Sequence, residues 1–293
     1  MGFVAQRHGA EVFGPFGYTG IRFSLGALLL LPFVLRSAPP IEGLDRRATR
    51  REYLKWGGLA GLVMAIAAIL QQAGMEDTTA GHGGFITSLY VLFTPLLAIL
   101  VGRAVGVEIW LACGLALWGL WLLSISPGAD GLTINRGDPL VLGCAFMWAI
   151  QILIVARASK VLEPLRFAFL QFAVTGILSL TIALVIEKPT LAQAGEAWGA
   201  LLYGSVFSVC LAFVIQMVAQ RVAPPTHAAI IMSLESVFGM AAGVWLLSEP
   251  LDGRKVLGAS LMFAALLVAQ VDPPWRKKRG AGDSADLGST DKR

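Results

Sequence analysis

One carboxylate stands in the middle of an apolar run long enough to cross a bilayer. The stretch 216–249 reads QMVAQRVAPPTHAAIIMSLESVFGMAAGVWLLSE, with Glu235 near its centre. A charge at bilayer mid-depth costs about 2.5–3.5 kcal/mol on insertion scales. Such a group must face a partner or water, or hold a proton. Two readings stay open for it: contact with a substrate ammonium or coupling to protons, and a structural hydrogen bond between helices. Arg22 is a second charge inside an apolar run. Its planar fork suits a carboxylate, on Glu235 or on a solute. Snorkelling to headgroups is the other reading, strained at roughly 10 Å of depth.

Helical spacing puts Thr87, Tyr90 and Thr94 on one polar stripe. Rise per residue places Tyr90 and Glu235 roughly 15 Å from their helix starts, in the middle of the bilayer. Trp148 and Gln151 share a face of a later run, an indole beside an amide that suits an amphipathic solute; plain core packing is the alternative. Gln171 completes the set of candidate pathway residues, and Gln71 and Gln216, towards opposite surfaces, are candidate gate positions. Ordinary interhelical hydrogen bonding is the competing role for these amides.

The elements that must hold these groups follow from composition. The 293 residues are 56% hydrophobic and only 14% charged, and the mean hydropathy is +0.70. A soluble domain carries about 25% charged residues, so the class is an all-α polytopic membrane protein. Nine apolar runs have spanning length, about 15–35, 54–75, 79–101, 107–125, 139–157, 165–186, 198–219, 225–247 and 254–271. Pro95 should bend the third, and Asp138 with Pro139 should cap the fifth. Gly57 and Gly61 have the spacing of a close helix contact within the monomer. Cys113, Cys144 and Cys210 read as small buried hydrophobes. His82 and His227 sit at helix starts near opposite surfaces and cannot share a metal.

The chain echoes itself at a shift of 145 positions: Gln71 with Gln216, His82 with His227, Ile86 with Ile231, Ser88 with Ser233, Leu89 with Leu234, Phe93 with Phe238. Pro15 and Arg22 recur in spacing as Pro164 and Gln171. Two halves of five helices follow, and an odd number of spans makes them opposite in orientation, the inverted-repeat plan of secondary transporters. Lys and Arg concentrate in the loop 36–55 and the tail 276–293, which places both in the cytoplasm. The run 272–279 reads as an interfacial anchor around Trp275, and 280–293 as disordered. Residues 1–14 look like the end of another span, so a first helix is expected to be largely missing from this chain.

Three segments resemble a known family: GPFGYTGIRFSLGALLLLP, GDPLVLGCAFMWAIQILIV and PPTHAAIIMSLESVFGMAAGVWLLSEPL. They are similar to the EamA-type carriers of the drug/metabolite transporter superfamily. The shared features are Arg22, the spacing of Asp138 and Trp148, and Glu235 with the distal Glu249 and Pro250. The resemblance implies a ten-helix inverted-repeat fold of five plus five. It also implies export of small metabolites, amino acids among them. Ser236 replaces a common Pro, which implies a straighter ninth helix, and Gly102-Arg103 replaces the usual Gly-Glu. The expected organisation is 1–125 as first repeat, 126–272 as second, and 273–293 as basic tail. The expected location is the inner membrane.

No HExxH, no GxSG serine, no nucleotide-binding motif and no pair of mid-depth carboxylates is present. No catalytic residue, cofactor, metal or nucleic acid is therefore expected; the partners are a small-molecule substrate, protons as a candidate co-substrate, and lipid. The competing reading is a channel-like or structural membrane protein, but a channel needs polar rings through the whole thickness.

Overall fold

The computed structural model describes residues 2–36, 45–124, 135–247 and 251–271. Every regular element among them is a helix, as expected where lipid offers the backbone no water to bond. In chain order they are α1 (Gly2–Arg36), α2 (Arg46–Gly74), α3 (Ala80–Thr87), α4 (Tyr90–Leu100), α5 (Val107–Ser124), α6 (Asp138–Ala158) and α7 (Pro164–Ile186). There follow α8 (Leu191–Glu196), α9 (Trp198–Tyr203), a π-helical stretch (Gly204–Leu211), α10 (Ala212–Ala219), α11 (Pro225–Ser233), α12 (Glu235–Leu247) and α13 (Gly253–Ala269). Seven stretches are long and apolar enough to cross a membrane, from Val12–Arg36 to Trp198–Ala219. The remaining two apolar runs are α11 with α12, interrupted at Leu234, and α13, of 17 residues. Leu35, Leu100 and Val185 project outward from this bundle, as lipid-facing side chains must. The chain is a multi-pass helical membrane protein. The Ser-Glu-Pro at 248–250 and the basic tail lie outside the described residues.

α1 packs along α7, α5 along α13, and α2 against both α6 and α7. Gly57 and Gly61 belong to that last contact. A Cβ on Gly61 would meet the Val174 Cβ at 2.6 Å, and Thr175 Oγ1 donates to the Gly61 carbonyl at 2.9 Å. Within α1 the helix breaks at Gly14, whose φ of 74° and ψ of 171° only glycine adopts readily. Pro15 restarts it. The Glu187 carboxylate caps the new start from across the bundle, accepting from the Phe16 and Gly17 amides at 3.0 and 2.6 Å.

The bend in the third apolar run comes before Pro95, at Ser88–Leu89, where α3 ends and α4 begins. Leu89, Val91 and Leu92 amides donate three residues back, to Ile86, Ser88 and Leu89, so one tight 3₁₀ turn replaces the α-helical ladder. Pro95 removes the amide that would have bonded the Val91 carbonyl. Cys113 Sγ donates to that carbonyl at 3.3 Å, a polar task beyond the filler role its sequence context suggests.

The same break recurs 145 positions on. Leu234 donates to Ile231, Val237 to Leu234 and Phe238 to Leu234, the counterparts of Leu89 to Ile86, Leu92 to Leu89 and Phe93 to Leu89. Ser88 and Ser233, both buried, each turn their hydroxyl onto a backbone carbonyl of the preceding turn, Gly84 at 2.8 Å and Ile230 at 2.7 Å. The turns that end α2 and α10 match likewise, with Met75 to Gln71 answering Gln220 to Gln216. The α11–α12 helix therefore bends with Ser236 in place of a proline, since the 3₁₀ turn and the serine suffice.

Asp138 opens α6 without capping it: Gly137 is the cap residue and makes no side-chain bond. The carboxylate instead accepts from Thr78 Oγ1 at 3.0 Å and the Asn135 amide at 2.9 Å, with His82 Nδ1 at 3.8 Å. It thus ties the α2–α3 loop to the start of α6.

Candidate functional site

Both breaks open onto one cavity of about 590 Å³, within the range of small-molecule sites. α4 begins at Tyr90 and α12 at Glu235, each ten residues after its helix pair begins. At about 1.5 Å per residue both lie roughly 15 Å deep. Both line the cavity, as do Arg22, Gln71, Thr87, Trp148 and Gln216. Glu235 is exposed, and it lines the cavity. As the first residue of α12 it also sits at the positive end of that helix dipole.

Arg22 is only 4% exposed. Its guanidinium carbon lies 5.0 Å from the Tyr18 ring and 5.1 Å from the Phe23 ring. Among the described residues no carboxylate pairs with it, and its Nε is buried without a partner. Two cation–π contacts, each worth roughly 0.5–2 kcal/mol, stand against an insertion cost of about 2.5–3.5 kcal/mol. The rings alone leave the two sums close, and the unpaired nitrogen tips the balance toward a need for water or a solute. Tyr18 is itself held by α9, its hydroxyl donating to the Ala200 carbonyl at 3.3 Å. The guanidinium is thus oriented and left unneutralised.

The amides organise the walls. Gln216 Nε2 donates to Gln151 Oε1 and Gln220 Oε1, both at 3.2 Å, and Gln220 Nε2 donates to the Ile152 carbonyl at 3.2 Å. This ladder joins α10 to α6. Gln71 Nε2 reaches Thr87 Oγ1 at 3.4 Å and joins α2 to α3. Three expected residues stand off the cavity wall, each fully buried. Thr94 donates to the Tyr90 carbonyl at 2.7 Å, Gln151 takes part in the ladder, and Gln171 Nε2 contacts Met64 Sδ at 3.0 Å.

Other wall residues carry no charge and were not singled out by spacing. Phe213 stacks on Trp148 with centroids 5.6 Å apart and planes 19° apart, and it touches Phe23 and Phe172 edge-on or tilted. Tyr203 and Phe207 stack at 5.5 Å beside it. Phe207 and Ser208 come from the π-helical stretch, a distortion that often marks functional sites. Gln220 had a readable signal, since it lies one turn beyond Gln216 on the same face.

At one end of the bundle sit the Asp138 cluster and an acidic rim of Glu76, Asp77 and Glu187. Burial, then the charges of Asp77 and Glu187, raise the Glu76 carboxyl above its ordinary value. His82 belongs to this end, where Asn135 Nδ2 lies 3.0 Å from its Nδ1. His227 lies elsewhere, with Arg103 on a second cavity of about 310 Å³.

Helices of spanning length around an internal cavity define a multi-pass membrane protein. The chain belongs to the EamA-like transporter family, which it matches twice, over residues 1–125 and again over 135–270. It is similar to an uncharacterized transporter of Archaeoglobus fulgidus, 30% identical over 264 residues, covering 88% of this chain and 77% of that protein. An uncharacterized transporter of Methanothermobacter thermautotrophicus is 26% identical over 232 residues, covering 76% of this chain and 66% of that protein. A crystal structure of a protein 16% identical superposes with a TM-score of 0.71 over 92% of this chain and 93% of that one, which is a likeness of fold. The family is one of membrane transporters.

Proposed function

We propose that the protein is a secondary carrier, working as an exporter of small polar or amphipathic metabolites such as amino acids. Two halves, 1–125 and 126–272, form inverted five-helix repeats and rock about the cavity between them, exposing it to one side and then the other. The observation that carries this reading is the pair of matching helix breaks. The same 3₁₀ turn occurs at Leu89 and Leu234, at equal depth, and both breaks open on one cavity. The double match to one family supports the same division. A mid-helix 3₁₀ turn is a hinge that a rocking motion can use.

Arg22, Thr87, Tyr90, Trp148 and Glu235 form the solute contacts of this carrier, and Gln71 and Gln216 flank them as gates. Gln151, Gln171 and Thr94 support that wall from behind. Glu235 is the group through which protons would enter the cycle. The Lys and Arg bias supports an inner-membrane location with the C-terminal tail in the cytoplasm, its basic run resting on anionic lipid.

Substrate counterflow in proteoliposomes tests the reading. A carrier preloaded with unlabelled solute draws in labelled solute transiently and saturably. Flux that rises linearly with concentration and shows no exchange would instead establish a pore.

A further inference from the structure

We propose that the second cavity, of about 310 Å³, binds the phosphate group of an anionic membrane lipid, whose acyl chains lie on the apolar rim outside it. Its walls come from the α4–α5 loop and the first turn of α11, with Arg103 and His227 among them. The site is separate from the central cavity and stands whether or not the protein is a carrier.

Three observations carry it. The first is a held and unneutralised cation. Gly102, with φ of 78°, turns the chain at the end of α4, and the Arg103 amide bonds back to the Ala98 carbonyl at 2.9 Å. Arg103 thus projects from a fixed turn, and among the described residues no carboxylate is within ion-pairing reach of it. The second is the difference between two matching helix starts. α3 is capped by Thr79, whose Oγ1 accepts from the His82 amide at 3.2 Å, and the His82 ring lies 3.0 Å from Asn135 and 3.8 Å from Asp138. At the shift of 145, α11 has Pro224 in place of Thr79. Pro224 makes no side-chain cap bond, the first turn holds no acidic residue, and the His227 ring contacts Thr226 Oγ1 at 3.4 Å. The positive end of α11 and the His227 ring therefore meet the cavity without the acceptors that answer their counterparts. α5 also starts at this cavity, but it carries its own carboxylate, Glu108, which lies against Gly106. An oxyanion fits what remains, because phosphate oxygens accept from a guanidinium fork and from a helix start together.

The third observation points to a lipid as the source of the phosphate. Leu100, Val101, Val107 and Val222 flank the wall residues in the chain, and all four are exposed. Acyl chains cover such a rim, and a free phosphate leaves it bare. α3 starts at the acidic rim and α4 ends at Leu100, so the cavity lies at the other end of the bundle. The Lys and Arg bias supports that end as cytoplasmic, the leaflet in which anionic headgroups gather. Arg103 is also the residue that replaces the usual Glu of the resembling carriers, so this chemistry is the chain's own.

The test titrates the full chain, purified in detergent, with dioctanoyl phosphatidylglycerol, dioctanoyl glycerol and glycerol 3-phosphate, and counts bound molecules by native mass spectrometry. The expected result is saturable retention of a single phosphatidylglycerol, with neither the chains without phosphate nor the phosphate without chains held as tightly. Arg103→Gln weakens the phosphatidylglycerol by about tenfold or more, the scale of one lost charged contact. Pro224→Thr gives α11 the cap that α3 has, and it weakens the same lipid several-fold with Arg103 intact. Replacing Arg276, Lys277, Lys278 and Arg279 together by Gln leaves this one lipid bound. Equal retention of dioctanoyl glycerol overturns the phosphate assignment, and equal retention of glycerol 3-phosphate overturns the lipid as its source. Unchanged affinity in a monodisperse Arg103→Gln protein, loss of the lipid with the four tail residues, or retention of none of the three each overturns the site.

Discussion

The α3–α4 and α11–α12 breaks share a backbone and differ in chemistry. Three of their backbone hydrogen bonds correspond at a shift of 145, and each has a serine bonded back onto the preceding turn. Around them, Thr87, Tyr90 and Thr94 on one side answer Met232, Glu235 and Gly239 on the other. The first break presents hydroxyls and a ring, the second a carboxylate beside the Ser233 and Ser236 hydroxyls. Repetition therefore sets where each helix bends and how deep it does so. Divergence at three positions makes one break a wall and the other a charged contact.

That division is open to attack in order of size. Glu235→Gln removes a charged contact worth about 1.5–3 kcal/mol, so solute exchange should fall roughly ten- to a hundredfold, since tenfold is about 1.4 kcal/mol. Tyr90→Phe removes one neutral hydroxyl and should reduce exchange by under about tenfold on the same scale. Equal losses in the two variants would erase the distinction between the breaks. Unchanged transport and pH dependence in Glu235→Gln would remove the carboxylate from the mechanism.

The paired amides come next. Gln216→Leu strips two buried amide oxygens, on Gln151 and Gln220, of a donor, and each stranded group costs about 1–3 kcal/mol. Gln71→Leu breaks a single bond of 3.4 Å. Thermal unfolding in detergent should show the first variant several degrees below the second, and the reverse order would contradict the ladder.

Cys113→Ala probes a feature of one half only. It strands the Val91 carbonyl that Pro95 leaves free, a loss of about 0.5–1 kcal/mol for so weak a donor. The position matching Pro95 is Met240, so the α11–α12 break has no counterpart to lose. A melting temperature unchanged within error would show that the carbonyl finds another partner. The smallest effects belong to Ser88→Ala and Ser233→Ala, whose back-bonds relax the bend more than they stabilise it. Each should shift stability by less than about 0.5 kcal/mol, and by similar amounts; a large difference between them would show the two turns to be unlike.

Much of this was legible from residue type and position. Glu235 and Arg22 announced themselves as charges inside apolar runs, and depth by helical rise placed Tyr90 with Glu235. The Ser-Leu pair repeated in both halves marks the break, whereas the proline, the stronger signal by residue type, stands seven residues from Ser88. Face arguments failed where regular geometry fails. The π-helical stretch has more residues per turn than an α-helix, so period counting could not bring Phe207 and Ser208 to the wall. Phe213 lies three residues before Gln216 in the same helix, so Gln216 marks its face, but an apolar ring in an apolar run carries no signal of its own. Thr94 and Gln151 lie on the expected side of their helices, but neighbouring backbone and amide groups take up their polar atoms before the cavity does. Asp138 reads as a cap by type and position, yet a bond to Thr78, 60 residues away, outweighs the local one.

The most direct measurement uses Ser236→Cys, on the cavity wall beside Glu235, in a chain with Cys113, Cys144 and Cys210 replaced by Ala. An impermeant thiol reagent is applied to one side of oriented proteoliposomes and then to the other. Modification from either side, slowed by transported solute, is the predicted result. Modification from neither side, or modification from both that solute leaves unchanged, would contradict a mid-depth cavity that opens alternately to the two faces.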